Sequence, residues 1–299
     1  MIRISIVIVT YNSEETIKRC LESLFCQDLS GCEIIIIDNA SSDNTLDIIK
    51  GCKEVFTLRV NSGNEGFSAA VNSAIEISRG DYVLTLNPDV ILSQDFISSV
   101  RDRLKNAGRD IGMIGVKILR QEKRNEIDST GLILSRAVRF FDRGFGKKDI
   151  GQYDGINGIL GPCAAAALYR RRMLDDIKLK GEYFDEDFFY LIEDFDIALR
   201  ARNKGWKVLY MPDVICYHLR NGSHTAYAYR QHMSFRNRYL LIIKDLNIKP
   251  EFILYFIFYD IPRFLFMLLT NKYTLRGLRE VIILNGRMLE KRRAIRSAD

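Results

Sequence analysis

The chain predicts an α/β fold: a mostly parallel sheet flanked by helices, with an apolar helical segment appended at its C-terminal end. Three observations carry this prediction. β-Branched apolar runs at 3–9, 33–37, 58–60 and 81–86 alternate with stretches of helical periodicity, which implies right-handed crossovers between parallel strands. The runs are nearly continuous rather than alternating, as strands buried on both faces are. Beyond Pro250 the composition becomes strongly apolar and aromatic over residues 252–269.

The elements follow in order. The first strand, 3–9, ends in the turn Thr10-Tyr11-Asn12. Ile17, Leu21 and Leu24 then share a helical face, and Asn12 and Glu15 have capping-box spacing. Residues 33–37 form a second strand ending in Asp38-Asn39, and Ser41-Ser42-Asp43 opens a helix with Leu46, Ile48 and Ile49 on its apolar side. A third strand at 58–60 runs into a polar loop from Asn61 to Gly66. The next helix carries Ala69, Ala70 and Ala74 and leads to the strand at 81–86. Pro88 fixes its own φ and pushes Asn87 into an extended conformation, so Asp89 stands in a defined place at a strand end. Further strands are expected at 111–119, 164–169 and 206–210, with a helix at 194–203 stopped by Gly205. Residues 120–158 read as a long loop or small antiparallel insertion, the kind of excursion that tends to serve function.

Composition bounds the answer. A chain of 299 residues can bury a full α/β core, and 47% hydrophobic with 27% charged residues excludes wholesale disorder. The net charge of +6 comes partly from Arg287, Lys291, Arg292, Arg293 and Arg296, a cluster suited to anionic lipid or phosphate. No recognition motif accompanies it, so nucleic acid is not an expected partner. The six cysteines are scattered without a C-x-x-C pair, which argues against zinc and disulfides and favours a reducing compartment. The apolar run at 4–9 is too short for a signal peptide. The expected location is cytoplasmic, peripheral on the inner face of the cell membrane. Asp260, Pro262 and Arg263 would be costly in a spanning helix, so 252–269 is expected to lie in the membrane plane or pack on the core. The basic tail favours the membrane surface.

The chemistry gathers at strand ends. Thr10-Tyr11-Asn12, Asp38 and Asp89 line one crevice if the sheet is parallel, and ligands bind there. A lone carboxylate at Asp89 suits a divalent metal bridging a diphosphate. Asp38 can accept from a ribose hydroxyl or a base N–H, and Tyr11 can offer a ring face. Gly66, within Asn64-Glu65-Gly66-Phe67 and ahead of Asn72, allows backbone N–H groups to approach a ligand. A strand-end Asp is also often just a helix cap. Glu193, Asp194 and Asp196 form a second cluster. Carboxylates at a helix start ordinarily cap it or face its dipole, while the functional alternative is a general base poised by neighbours and burial. His218, ahead of Gly222-Ser223, is a candidate metal ligand or diphosphate contact, although a lone His is more often structural. No G-x-G-x-x-G follows the first strand, and neither a P-loop nor a G-x-S-x-G elbow occurs.

The ordered motifs IVIVTYN (6–12), IIDNASSD (36–43), NEGF (64–67), LNPD (86–89) and ED (193–194), with Arg236-Asn237 beyond them, resemble the family 2 glycosyltransferases and their rhamnosyltransferase-like branch. The resemblance covers residues 3–245. It implies a GT-A fold, a nucleotide-diphosphate sugar donor, a divalent metal (Mg2+ or Mn2+) and inversion at the anomeric carbon. It implies that Asp38 binds the nucleoside, that Asp89 binds the metal and that Asp194, beside Glu193, is the base. Thr10, Tyr11, Asn12, Asn64, Gly66, Phe67, Asn72 and Asn87 are then donor-site candidates, and His218 joins Asp89 at the metal. Where the family carries two carboxylates around one residue, this chain has Asn87-Pro88-Asp89, leaving only the second acid.

The expected organisation is a GT-A domain at 1–245, with a nucleotide-sugar half at 1–110 and an acceptor and catalytic half at 111–245. Amphipathic helices at 246–299 follow. The expected reaction moves a sugar, rhamnose among the candidates, to a hydroxyl of a lipid-linked or cell-surface polysaccharide. The acceptor would approach over Gly161-Pro162-Cys163 and the 120–158 loop. A nucleotidyltransferase is the rival in the same chemistry, but Tyr11 to Glu15 is not the Gly- and Lys-rich loop it needs. A non-catalytic sugar-nucleotide-binding subunit is the rival in another class, and the Glu193-Asp194 pair argues against it.

Overall fold

The computed structural model describes residues 2–156, 158–220, 227–245, 250 and 252–297. Strand β1 (Ile4–Thr10) is buried along its whole length, as its isoleucine-valine run requires. After it come α1 (Ile17–Phe25), β2 (Cys32–Asp38), α2 (Thr45–Lys50), β3 (Thr57–Val60), α3 (Gly66–Ile77) and β4 (Tyr82–Leu86), in the alternation expected. β1 pairs in parallel with β2 and β4, and β2 with β3. Ile17, Leu21 and Leu24 of α1 pack on one side of the sheet. Ala70, Val71 and Ala74 of α3 pack on the other. The register sets Thr10 opposite Asp38 and Ile8 opposite Leu86, so the ends of β1, β2 and β4 share one edge.

The expected capping box does not form. α1 begins at Ile17 without a side-chain cap, and Asn12 has φ +47. Its Oδ1 instead accepts from the backbone N–H of Ser42 at 2.8 Å, which ties the two strand-end turns together. Asp43 accepts from the Thr45 N–H at 3.0 Å, an Asx turn just ahead of α2.

The second half contains β5 (Val90–Leu92), α4 (Phe96–Lys105), β6 (Ile111–Arg120), β7 (Ile127–Ser129), β8 (Leu132–Leu134), β9 (Phe140–Asp142), β10 (Ala166–Arg170), α5 (Arg171–Asp176), α6 (Glu193–Asn203) and β11 (Lys207–His218). The principal sheet runs β3-β2-β1-β4-β10-β6-β11-β5, with β7 on β6. β10 lies antiparallel between β4 and β6, so the sheet is mixed. The reason is the 120–158 segment, which is an antiparallel insertion. It leaves and re-enters at the same sheet edge, so the strand that follows must run back. β11 extends well past the expected 206–210. Its pairing with β6 slips between Met211 and Ile215, around Pro212, and then resumes to His218.

The C-terminal part comprises α7 (Tyr227–Lys244), α8 (Phe252–Tyr255), a π-helical turn (Phe256–Asp260), α9 (Ile261–Thr270) and α10 (Thr274–Ser297). The π turn has a local cause: Pro262 lacks an N–H and its ring crowds the carbonyl four residues earlier. Residues Phe252–Thr270 are long and apolar enough to cross a membrane, with a mean hydropathy of 1.8, and only 11% of that window is buried. Asp260 is an exception to this exposure. It is buried in a two-point ion pair with Arg238 of α7, with Nη2–Oδ2 at 3.0 Å.

α10 packs against α7 rather than trailing from it. Glu280 meets Arg236 at 2.8 Å, and a Cβ at Gly277 would stand 2.9 Å from the His232 ring. Lys291, expected in a membrane-facing basic cluster, is buried among Glu182, Asp185 and Asp187 at 3.2, 2.5 and 2.9 Å. Arg287 also pairs with Asp187, at 3.0 Å. Burial strengthens the pairing of Lys291 with these carboxylates, whereas Arg287 stays largely exposed.

Lys244 is wholly buried and pairs with Asp185 at 2.8 Å and with Asp196. Asp196 also receives Arg200 at 2.8 Å. Burial alone would raise the Asp196 carboxyl, but Arg200 and Lys244 hold it well below the usual carboxylate range. Removing one partner strands the others, so Lys244→Met is expected to cost about 3–5 kcal/mol in denaturant unfolding. An unchanged midpoint and slope would contradict this.

Candidate active site

The edge formed by β1, β2 and β4 carries the first part of the site. Asp38 is fully buried. One oxygen accepts from the Ser41 N–H at 2.8 Å, and the other from the Thr10 and Ser41 hydroxyls at 2.7 and 2.6 Å. Where the sequence predicts that Asp38 accepts from a nucleoside, the structure has its carboxylate buried and bonded to Thr10 and Ser41, which it fixes. Tyr11 is 44% exposed, leaving its ring face open.

The loop before α3 is also organised from within. Asn64 Oδ1 accepts from the Gly66 N–H at 3.0 Å, which is a local turn rather than an open ligand contact. The Phe67 N–H donates to the Phe189 carbonyl at 2.7 Å. Gly66 has φ +85, and a Cβ there would stand 2.6 Å from that carbonyl. Its missing side chain thus makes room for Phe189, not for a ligand as expected. Asn72 also departs from expectation: its amide exchanges hydrogen bonds with the backbone of Phe184 at 2.7 and 2.8 Å. Two asparagines to which the sequence assigned no role secure this loop. Asn39 donates to the Gly66 carbonyl at 3.1 Å, and Asn61 donates to Asn39 Oδ1 at 2.8 Å.

Asp89 and His218 meet because of strand pairing. The Val90 N–H closes a turn onto the Asn87 carbonyl at 3.1 Å, and the Asn87 N–H donates to the Ala165 carbonyl at 2.9 Å. β5 pairs with β11 so that Val90 faces His218. The result is His218 Nε2 at 3.2 Å from Asp89 Oδ1, with Nδ1 held 2.8 Å from Asp128 Oδ2. Burial alone would lower the imidazole, but the carboxylates of Asp89 and Asp128 lift it to about 9. Arg220 Nε lies 2.7 Å from Asp128, its guanidinium also pairs with Asp142, and it covers the Phe145 ring at 4.4 Å. Gly222 and Ser223 lie outside the described residues.

The residues at Asp89 fit a divalent cation. Asp128 orients the imidazole so that Nε2 faces Asp89, the arrangement in which a carboxylate sets a ligating histidine. Among the described residues no three acidic, histidine or cysteine side chains form a ready-made cage. One carboxylate completed by diphosphate oxygens is a donor set that Mg2+ or Mn2+ accepts, and His218, lifted to about 9, joins it only on giving up its Nε2 proton.

The acid pair stands on the other side of the Ala164-Ala165 backbone. Asp194 Oδ2 accepts from the Ala164 N–H at 3.4 Å and Oδ1 from the Phe195 N–H at 2.9 Å. Burial, then the charge of Asp142, raises the Asp194 carboxyl to about 7. Burial, then Asp194 itself, raises Glu193 to about 8. Asp196 is turned away into the Arg200–Lys244 cluster and has no part here. The Asn87 N–H binds Ala165 and the Ala164 N–H binds Asp194, so this one stretch links the Asp89 turn to the acid pair. A cavity of about 730 Å³ lies at the opposite sheet edge, around Arg3, Tyr82 and Arg171, away from these carboxylates.

Asp128 and Asp142, which set the electrostatics of His218, Arg220 and Asp194, were not read from the sequence. Both lie in the polar 120–158 insertion, where a carboxylate has no periodic context to mark it as buried.

A mixed sheet with this strand order and flanking helices is a GT-A-like fold, and solved structures agree. The chain matches the structure of S. aureus TarS 1–349 with a TM-score of 0.60 at 19% identity, covering 99% of this chain and 88% of that one. It matches a mannosyltransferase from Pyrobaculum calidifontis in complex with GDP-Man and Mn2+ with a TM-score of 0.57 at 17% identity, covering 99% and 74%. The model of glycosyl transferase family 2 matches residues 5–178, and the chain belongs to that family. Among curated relatives, the poly(ribitol-phosphate) beta-N-acetylglucosaminyltransferase TarP of Staphylococcus aureus is 25% identical over 259 residues, 82% of this chain and 71% of its own length. The poly(ribitol-phosphate) beta-glucosyltransferase of Bacillus spizizenii is 41% identical over 105 residues, 32% of this chain, and only 16% of its length is spanned.

Proposed function

We propose that this glycosyltransferase moves a hexosyl unit from a nucleoside-diphosphate sugar, with inversion, to a hydroxyl of a lipid-linked or cell-surface polysaccharide. The observation that carries the reading is Asp194, a half-buried carboxyl lifted to about 7 and linked through Ala164-Ala165 to the Asp89–His218 pair. A base poised near neutrality suits removal of an acceptor proton. Asp194 takes that proton as the acceptor oxygen attacks the anomeric carbon opposite the departing diphosphate. Asp89 and His218 would hold a divalent cation with the diphosphate oxygens, and the cation, when bound, neutralises charge on the leaving group. The exposed Tyr11 ring supports a stacked nucleoside base. Thr10, Asn12 and Ser41 shape the wall behind it: Asp38 accepts from Thr10 and Ser41, and the Asn12 N–H donates to the Ser41 hydroxyl.

The rhamnosyltransferase-like reading of the donor rests on Asn87-Pro88-Asp89. The relatives' names speak instead of glucosyl and N-acetylglucosaminyl units. A panel of dTDP-rhamnose, UDP-glucose, UDP-N-acetylglucosamine and GDP-mannose decides, scored by thermal shift and nucleoside-diphosphate release with Mn2+. Protection and release by one donor support the proposal. Nucleotide protection without turnover of any of them would support a non-catalytic binding subunit.

We also propose attachment to an anionic membrane on its cytoplasmic side. Ile253, Phe258, Leu265, Phe266 and Leu269 are exposed, and so are Leu275, Ile282 and Ile283 of α10. Exposed Lys272 and Arg279 flank them. Apolar area combined with basic charge is what binds an interfacial helix. The protein is expected to sediment with phosphatidylglycerol vesicles and less with phosphatidylcholine ones. Phe258→Glu with Leu269→Glu is expected to abolish sedimentation while sparing donor binding. Sedimentation unchanged by the double substitution would contradict the surface.

A further inference from the structure

The segment between the short helical turn at Glu186–Phe188 and α6 takes an unusual path. Phe189, Leu191 and Ile192 have φ of +63, +70 and +72. None is glycine, and Ile192 is β-branched, for which positive φ is a genuine outlier. Such strain persists only where surrounding structure over-determines it. Asn237 of α7 is what does so. Its buried amide Nδ2 lies 2.8 Å from the carbonyl of Phe188, 2.8 Å from that of Tyr190 and 2.7 Å from that of Leu191. Arg236 donates to Asn237 Oδ1 at 2.5 Å, which aims the Nδ2 group at the three carbonyls.

The two ends of this arch reach the two halves of the site. The Phe189 carbonyl accepts from the Phe67 N–H at 2.7 Å and the Ser68 N–H at 3.4 Å, fixing the start of α3. Ile192 runs directly into Glu193 and Asp194. We propose that Asn237 is a positioning residue for sugar transfer: its amide holds 188–192 in the one path that sets both the base and the donor-side loop. This rests on the reading of Asp194 as the base. Asn237 does not touch substrate. It acts through the backbone it holds.

The test compares Asn237→Asp, Asn237→Gln and, as control, Asp194→Asn in the full chain. Steady-state release of nucleoside diphosphate is followed with UDP-N-acetylglucosamine and with dTDP-rhamnose, each with Mn2+. Asn237→Asp keeps the shape and the Arg236 contact but cannot donate to the carbonyls. It is expected to lower kcat about 100-fold, the effect of a misplacement near 1 Å, and to raise the donor KM. Asn237→Gln retains the amide on a longer arm and is expected to fold and to lie between wild type and Asn237→Asp. A residue that merely stabilised the fold would reduce melting temperature while leaving kcat and KM per folded molecule unchanged. Wild-type kcat and KM in both folded Asn237 variants, with Asp194→Asn inactive, would overturn the positioning role. Should Asn237→Asp not fold, Asn237→Gln alone decides, and wild-type parameters in it overturn the role. Turnover retained in Asp194→Asn would overturn the base assignment itself, and the base half of this proposal with it.

Discussion

Asp194→Asn is expected to abolish transfer while making the protein more stable at pH 8. Both effects come from one observation, a carboxyl raised to about 7 by burial and by the charge of Asp142. As a base, Asp194 works only when deprotonated, so kcat/KM should rise with pH and level off above about 7. Removing a positioned base costs on the order of 10²–10⁴-fold in rate. The stability effect has the opposite sign. In the unfolded chain an Asp titrates near about 4, so between about pH 4 and 7 the folded state holds a proton that the unfolded state has lost. Folding stability is therefore complete below about pH 4 and is lost as pH rises through about 7. Glu193, raised to about 8 by burial and by Asp194, loses stability over a similar window. An uncharged amide at 194 removes that loss and relieves Glu193, so the melting temperature of the variant should exceed wild type at pH 8 and match it near pH 4. A variant that turned over normally, or that was less stable at both pH values, would refute the assignment.

Asp89→Asn is expected to separate donor binding from metal. The carboxylate sits 3.2 Å from His218 Nε2, at a turn fixed by Asn87 and Pro88. Since the chain supplies one carboxylate there, its loss should remove most of the cation affinity. The rate should fall on the order of 10²–10³-fold, as when a single preorganised charge stabiliser is lost. Nucleoside binding through the Tyr11 side should persist. Titration of UDP by calorimetry, with and without Mn2+, checks this. Wild-type UDP affinity should depend on Mn2+, and the variant's should not. Undiminished Mn2+ enhancement in the variant would place the cation elsewhere.

Much of this protein is legible in its residues. The strands of the N-terminal half were readable because isoleucine and valine runs admit little else, and strand-end acids at 38 and 89, with the helix-start acid at 194, marked the edge that carries the site. Side-chain roles were less legible, because long-range partners decide them. Asp38 looks like a ligand contact until Ser41 and Thr10 are folded over it. Gly66 looks like a place for phosphate until Phe189 fills the space. Asn72 was read as donor-facing, yet its partner lies 112 residues away at Phe184. Lys291 looked like a membrane charge and instead closes a buried cluster with Asp185 and Asp187. Asn237 belongs to the Arg236-Asn237 pair of the resemblance but shows no task there, since carbonyl groups leave no trace in a sequence.

The central claim is inversion by a single base, and proton NMR of early product tests it most directly. Wild-type protein, Mn2+ and whichever α-linked nucleotide sugar it turns over are mixed, with water as acceptor. The anomeric proton is read before the free sugar equilibrates. Inversion at Asp194 predicts that the β-anomer appears first and that Asp194→Asn yields none. An α-anomer formed first would contradict it.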